Sequence, residues 1–160
     1  MVIWAEFERV APNLAAAARQ RLSSPRIALL GTVRADGAPR ISPIEPYITG
    51  TQLLFGAMVW SRKATDLSRD PRLALHSTLT GPDTGESEIK LYGTAVAADP
   101  AARAACPGGW WAAHGNDRAL VFAVDINEAS LIEWDLAVAE LTVSTWSSSR
   151  GLQVRHRSYP

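Results

Sequence analysis

"RIALLGTVRADGAPRISPIEPYI", residues 26–48, contains two β-prone runs on either side of a tight-turn signal. The first run, residues 26–34, is rich in branched apolar side chains. Asp36-Gly37 is a dipeptide that favours a short hairpin turn, and residues 39–48 return as the second strand. This stretch predicts an antiparallel hairpin, which is the unit from which antiparallel sheets and barrels are built.

The second strand of this hairpin is interrupted by Pro43 and Pro46. Proline lacks the N–H that a sheet ladder needs, so we expect the strand to lie at an edge or to face something other than a strand on one side. A planar ligand could take that place beside Arg40 and the residues after it. An ordinary edge strand that prolines protect from further pairing explains the pattern equally well.

The rest of the chain continues the β pattern, with helices only at its start, after the third strand and before the last strands. Pro12 splits the first predicted helix or starts its second part, and Pro107-Gly108-Gly109 limits the alanine-rich segment 100–116 to two short helices at best. Six or seven strands with turn-sized connections predict a mainly β fold, an antiparallel barrel with peripheral helices. Strands are predicted at residues 53–60, 72–80, 87–99, 119–135, 138–147 and 152–159, helices at 6–22 and 64–69, and a loop at 81–85.

Composition limits the functions that the chain can have. At 160 residues with 47% hydrophobic residues, it is expected to form one domain, residues 1–160. Sixteen basic residues balance sixteen acidic residues, which argues against broad binding to nucleic acid or to a membrane surface. The single Cys106 and the absence of a signal-peptide pattern in "MVIWAEFERV" lead us to expect a cytoplasmic protein.

The stretch "SRKATDLSR", residues 61–69, begins a helix with two cations. Ser61 is a good N-cap, but Arg62 and Lys63 lie at the positive end of the helix dipole, where each costs about 0.3–1 kcal/mol. A phosphate bound there would turn this cost into a gain, because free N–H groups, the dipole and both cations would hold it. The alternative is that both cations are solvated and that Arg62 pairs with Asp66 one turn later.

Small and aromatic residues give a weaker signal. Gly56 and Ala57, in the strand before Ser61, would let a bulky ligand approach the backbone, although packing under an aromatic side chain explains them equally well. Among six tryptophans, the Trp110-Trp111 pair and Trp146 are candidates for ring stacking or for a dimer interface, with core packing as the alternative.

No recognisable catalytic constellation stands out. His76, His114 and His156 have no metal-ligand spacing, so no metal site is expected. There is no nucleophile motif and no glycine-rich nucleotide loop of a common type, and the catalytic residues stay unknown at this stage. If the protein is an enzyme, a cofactor is expected to supply the chemistry.

Three motifs in order resemble the pyridoxamine 5'-phosphate oxidase-like family, the FMN-binding split β-barrels of the flavin and deazaflavin oxidoreductases. They are "GTVRADGAPRISPI" (31–44), "LLFGAMVWSRKATDLSRDPRLAL" (53–75) and "EIKLYGTAVAADP" (88–100). The resemblance is close over residues 27–100 and loose over the last third of the chain. Its most specific part is "SRKA", residues 61–64, which is similar to the motif whose Arg and Lys hold the FMN phosphate in members of the family.

The resemblance implies a set of cofactor-binding residues. The phosphate would lie at the start of the helix, the flavin ring and its ribityl chain along the second strand, and the small residues of the third strand against the cofactor. Glu88 falls where the oxidases tend to have a glutamine that touches the flavin, and Trp146 of a partner chain would cover the site. The implied residues are Arg40, Ile41, Ser42, Pro43, Ile44, Gly56, Ala57, Ser61, Arg62, Lys63, Glu88 and Trp146.

The resemblance also implies a homodimer with a cofactor at the interface, and an oxidoreductase that uses FMN on a small organic substrate. An F420-dependent reductase of the same superfamily is the nearest alternative. A non-enzymatic flavin-binding or haem-binding barrel, with His76 or His114 as an axial ligand, is another. The segment that holds the substrate phosphate in true oxidases is not recognisable in "WSSSRGLQVRHR", residues 146–157, so the resemblance does not extend to pyridoxamine phosphate as the substrate.

Overall fold

Nine antiparallel strands and a few short helices make up the computed structural model, which describes residues 1–79, 81 and 87–159. The strands are β1 (Ala28–Val33), β2 (Pro39–Ile44), β3 (Pro46–Ile48), β4 (Leu53–Met58), β5 (Arg72–Ser77), β6 (Glu88–Ala97), β7 (Ala119–Asp135), β8 (Glu140–Ser147) and β9 (Gly151–Ser158). The helices are α1 (Trp4–Val10), α2 (Pro12–Ser23), α3 (Arg62–Arg69), α4 (Pro100–Ala104) and a 3-10 helix (Trp110–Ala113). The end of the predicted strand 72–80 and most of the predicted loop 81–85 lie outside the described residues.

Seven strands follow one path through the sheet, in the order β2-β1-β5-β6-β7-β4-β3. The two ends of this path, β2 and β3, are consecutive in the chain and are joined by Glu45, so the sheet curls into a barrel. This confirms the predicted antiparallel barrel with peripheral helices. The total of nine strands exceeds the six or seven predicted, in part because the predicted strand 39–48 divides into β2 and β3; β8 and β9 extend the sheet beyond this path.

Strand β7 divides the barrel. One edge of β7 pairs with β6, whereas its other edge pairs with β4 through residues 119–123 and with β8 through residues 128–135. Since a single edge serves two different strands in succession, β4 and β8 diverge from each other along β7. This divergence is the split of a split β-barrel.

A β-bulge lies at the point where β7 changes partners. Tyr92 pairs with Glu128 but the next residue, Gly93, pairs with Ile126, so Asn127 is the extra residue of β7. A Cβ atom on Gly93 would lie 1.8 Å from the carbonyl oxygen of Asp125. The close approach of the two backbones at the bulge therefore requires glycine.

The predicted strand 39–48 is two strands in the structure, and Glu45 separates them. β2 pairs with β1, whereas β3 pairs with β4 in a ladder that ends at Pro46 and Phe55. In the described part of the chain β2 pairs with β1 alone, which confirms the expected edge strand. The bend leaves a gap between β2 and the last residues of β4.

The predicted helix 6–22 is likewise two helices, and Pro12 is the first residue of the second. Proline suits this position because its missing N–H would have no partner there. Trp4 and Phe7 of α1 and Leu14 and Leu22 of α2 are buried against the barrel in the main core. None of the described helices is long and apolar enough to cross a membrane.

The alanine-rich segment before β7 forms two short helices, as predicted, and packs against the outer side of β4 and β7. Its buried members make a second, smaller hydrophobic cluster outside the main core, formed by Leu54, Cys106, Trp111, Ala119 and Val121. This cluster brings Trp110 and Trp111 next to β4, beside the gap that the bend leaves.

We expect Gly93→Ala to lower the free energy of unfolding by at least about 2 kcal/mol, because the added methyl group forces the backbones apart at the bulge. Gly50→Ala is the matched control, since its Cβ would meet nothing within 4 Å. Urea unfolding of both variants measures the difference. Equal stability of the two variants would contradict the role of Gly93.

Candidate functional site

The gap between β2 and β4 contains a cavity of about 270 Å³. Its walls are mostly apolar, with two charged side chains, Lys63 and Glu45. Because Glu45 follows the end of β2 and Lys63 follows the end of the antiparallel strand β4, the two charges lie towards opposite ends of the cavity. The lining residues are Ile27, Pro43, Ile44, Glu45, Gly56, Ala57, Met58, Lys63 and Trp110.

Helix α3 begins where β4 leaves the cavity. The Ser61 Oγ accepts a 3.4 Å hydrogen bond from the backbone N–H of Ala64, which confirms the predicted N-cap. Arg62 is exposed, whereas Lys63 is partly buried and lines the cavity. Among the described residues, neither cation takes part in an ion pair, so the first turn of α3 carries two positive charges without a carboxylate to neutralise them.

The carboxylate of Asp66 is occupied by other groups, so the alternative pairing with Arg62 is not formed. Arg40 Nε donates a 2.6 Å hydrogen bond and Thr32 Oγ1 a 2.9 Å hydrogen bond to Asp66 Oδ2, and Arg69 lies 3.8 Å from Oδ1. Burial alone would raise the pKa of Asp66, but these partners outweigh it and hold the pKa below its usual range. The ionised carboxylate therefore ties β1, β2 and α3 together.

Of the five β2 residues implied by the resemblance, the structure places Pro43 and Ile44 in the cavity wall. Arg40 instead turns its Nε towards Asp66, and Ile41 is 71% exposed on the outer side of the sheet. Arg40 is thus placed to hold β2 against α3 rather than to line the cavity. Ser42 is partly buried on β2 and does not contribute to the wall.

Gly56 makes room for tryptophans, which is the packing alternative considered above. A Cβ atom on Gly56 would lie 2.5 Å from Cε3 of Trp111 and 2.9 Å from Cζ2 of Trp110. Ala57 is 1% exposed and belongs to both the main core and the cavity wall. Gly56 and Ala57 also line the cavity, and their contact with a ligand stays a prediction.

Glu88 does not reach the cavity of its own chain. Glu88 pairs with Ile132 of β7 and Gly56 with Val121 of β7, and these two β7 positions are separated by 11 residues, or roughly 35 Å of strand. The Glu88 carboxylate instead lies beside two basic side chains, with Oε1 3.3 Å from His76 Nε2 and close to Lys90 Nζ.

Trp146 also lies away from the cavity. It is 5% exposed and packs against Phe7 with the ring centroids 5.3 Å apart, so it belongs to the main core under α1. This corrects the expectation that Trp146 is available to cover a site, because a side chain buried in its own core would have to leave it to do so.

The histidines are not arranged as metal ligands. In the part of the chain that the structure describes, no group of three or more His, Cys, Asp and Glu side chains is placed to hold a metal ion. Both ring nitrogens of His76 have neighbours, since Nδ1 lies 2.5 Å from the Ser77 carbonyl oxygen and Nε2 lies near Glu88. His114 is exposed near Trp110.

Sequence reasoning missed three of the wall residues, Ile27, Glu45 and Met58, and did not place Trp110 in the wall. Ile27 directly precedes β1, Glu45 directly follows β2, and Met58 is the last residue of β4. Their signal in the sequence was only their position at strand ends, where side chains meet the open rim of a barrel. Trp110 was recognised as a stacking candidate, but its placement against Gly56 depends on the folding of a distant segment.

Comparisons with known proteins give a family and a fold. A family model described as pyridoxamine 5'-phosphate oxidase matches residues 14–132. A pyridoxamine 5'-phosphate oxidase-related, FMN-binding protein from Nostoc punctiforme is 13% identical, with a TM-score of 0.64 over 92% of this chain and 96% of that one. Among curated proteins, no sequence matches this chain.

Two further solved structures share the fold. PhzG from Burkholderia lata, in complex with tetrahydrophenazine-1-carboxylic acid, is 14% identical and has a TM-score of 0.63 over 92% of this chain and 89% of its own. A heme-binding protein from Mycobacterium smegmatis is 14% identical and has a TM-score of 0.59 over 90% of this chain and 88% of its own. At these identities the likenesses show the fold alone.

We expect Asp66→Asn to lower the free energy of unfolding at pH 7 by about 2 kcal/mol, because charge-assisted hydrogen bonds from Arg40 and Thr32 are lost. Because folding lowers the pKa of Asp66, its stabilisation is present at neutral pH and is lost as the pH falls through that lowered value. Urea unfolding across pH 2–7 should therefore show the difference between variant and unchanged protein shrinking below about pH 4.

Asp36→Asn is the control for this measurement, since it breaks an exposed ion pair with Arg34 and is expected to change stability by less than about 0.5 kcal/mol. A difference between Asp66→Asn and the unchanged protein that stays constant down to pH 2 would contradict the assigned charge.

Proposed function

This chain belongs to the pyridoxamine 5'-phosphate oxidase family, and from that premise we propose that it is a flavoprotein that binds FMN between β2 and β4. In this proposal it transfers hydride or electrons to or from a small organic substrate. The observation that carries the proposal is an apolar cavity that opens at the first turn of α3, where Arg62 and Lys63 have no carboxylate partner among the described residues.

The start of α3 fits a phosphate in three ways. Its first N–H groups have no acceptor within the helix, apart from the one that Ser61 Oγ binds at Ala64. The helix dipole and the two cations add positive charge at the same place. Lys63 also lines the cavity, so an anion held at the helix would be continuous with a ligand between the strands.

The cavity fits a flat, largely apolar ring. Pro43 and Ile44 of β2 face Gly56, Ala57 and Met58 of β4 across it. Beyond Pro46 and Phe55 the two strands are not joined by a ladder, so a planar group can lie between their edges. Its apolar faces would contact these side chains, and its polar edges could bond to strand backbone groups.

When bound, FMN would supply the redox chemistry at N5 of its ring. The chain's own residues would hold it in place, with Arg62 and Lys63 binding the phosphate. The bond between Arg40 and Asp66 would fix α3 against β2, and so would fix the separation between the phosphate site and the ring site. The apolar walls exclude water from the ring. We assign no catalytic acid or base.

We propose that the protein is a homodimer whose contact face is the outer side of the β2-β1-β5-β6 sheet. The strand registers place Ile41, Gly31, Ala74 and Tyr92 in one row on that side. Ile41 is 71% and Tyr92 39% exposed, and the neighbouring Leu29 is 39% exposed. An apolar face of this kind is typical of a symmetric contact. Glu88 is the first residue of β6 and lies far from the cavity of its own chain, so it could contact only a cofactor that is bound to a partner chain.

Two alternatives remain. An F420-dependent reductase would use the same cavity and helix. A haem-binding barrel would need an axial ligand, and His76 would first have to give up its contacts with Ser77 and Glu88. Absorption spectra separate them, because bound haem gives a Soret band, whereas FMN and F420 each give their own visible maxima.

The Arg62→Ala, Lys63→Ala double variant tests the cofactor proposal. We expect it to bind FMN at least about 100-fold more weakly, because two charge-assisted contacts to the phosphate are lost. Titration of cofactor-stripped protein, followed by flavin fluorescence, measures the change. The Arg9→Ala, Arg34→Ala double variant removes the same charge from exposed ion pairs elsewhere and should bind FMN normally. Unchanged affinity for FMN in the Arg62→Ala, Lys63→Ala variant would contradict the phosphate assignment.

The dimer proposal has its own test. Ile41→Lys is expected to shift the protein towards monomer in analytical ultracentrifugation, because it places a charge in the middle of the contact face. Val138→Lys, at a 66% exposed position in the turn between β7 and β8, is the matched control and should leave the mass unchanged. A monomeric unchanged protein would overturn the proposal.

A further inference from the structure

Trp110 is the one aromatic side chain in the described wall of the cavity. It is partly buried, and Gly56, on the strand that forms the cavity's side, brings the indole against the backbone of β4. Trp110 thus has β4 on one side and the open cavity on the other.

Trp110 is held in place by a series of edge-on aromatic contacts. Its centroid lies 6.1 Å from that of Trp111, which is fully buried and makes an edge contact of 4.8 Å with Tyr47 of β3. Gly109 permits this packing, because a Cβ there would lie 2.4 Å from Cε2 of Trp111. The buried ring of Trp111 therefore supports the Trp110 indole on the side away from the cavity.

Arg103 fastens the same segment to the barrel. Its guanidinium donates to the Ala119 carbonyl oxygen at 3.0 Å, to the Trp111 carbonyl oxygen at 3.1 Å and to the His114 carbonyl oxygen at 2.5 Å. These three bonds join α4, the 3-10 helix and the start of β7. A segment tied at both its ends in this way is a fixed wall rather than a mobile lid.

We infer that Trp110 determines which ring the cavity accepts, by lying in contact with the bound ring and limiting the space beside it. This inference rests on the proposed function, since it names the residue that sets the selectivity of that same cavity. The cavity of about 270 Å³ is slightly smaller than the roughly 300–1,000 Å³ of most small-molecule sites, so little space remains between a bound ring and Trp110.

The inference makes a spectroscopic prediction. An indole in contact with a flavin ring quenches the flavin's fluorescence, so FMN bound to the unchanged protein should be dim. Trp110→Phe keeps an aromatic wall and should bind FMN within about 3-fold of the unchanged affinity, but with several-fold brighter flavin emission. Trp110→Ala should be equally bright and bind about 10-fold more weakly, because the ring contact is lost.

Trp134→Phe is the matched control, because Trp134 is partly buried on β7 and pairs with Leu141 far from the cavity. It should leave both the affinity for FMN and the emission of bound FMN unchanged. Equal emission from the Trp110→Phe and Trp134→Phe proteins would overturn the inference while leaving FMN binding intact. Failure of the unchanged protein to bind FMN would overturn the proposed function, and this inference with it.

Discussion

The buried carboxylate of Asp66 is the interaction on which the site depends. It receives hydrogen bonds from Thr32 on β1 and Arg40 on β2, while its own backbone belongs to α3. A buried charge is tolerated only when it is paired and hydrogen-bonded, and Arg40 and Thr32 together supply the ion pair and the hydrogen bonds. Because α3 follows directly from β4, this contact fixes the two sides of the cavity and the cations at its end in one arrangement. In the proposed function, this contact holds the apolar walls and the helix start in the arrangement that binds one ligand.

Local patterns predicted much of this architecture. The turn at Asp36-Gly37, the N-cap Ser61 and the first-position Pro12 each act over a few residues, so the sequence alone indicates where a hairpin and two helices begin. The two cations after Ser61 could also be recognised as an anomaly, because helix dipoles have a fixed direction. The family resemblance rested in part on the hairpin and on the segment that starts at Ser61, and the family match extends over both.

The remaining features depend on contacts between distant segments, which no local pattern encodes. Asp66 looked like a partner for Arg62 four residues earlier, yet the fold gives it to Arg40, 26 positions away. The need for glycine at position 56 is visible only in the fold, where Trp110 and Trp111 pack against it. The position of Glu88 in the family motif suggested that it lies in the site. Strand register instead pairs it with Ile132, near the end of β7 that is far from the cavity. Register and long-range packing thus decided the parts that the sequence left open.

The central claim is that the start of α3 binds the phosphate of a flavin whose ring lies between β2 and β4. Parallel titration of the stripped protein with FMN and with riboflavin tests it most directly, because the two ligands share the ring and differ in the phosphate. The account predicts that FMN binds at least about 100-fold more tightly than riboflavin, with the preference falling as salt is added. Equal affinity for the two ligands, or binding of neither, would contradict it.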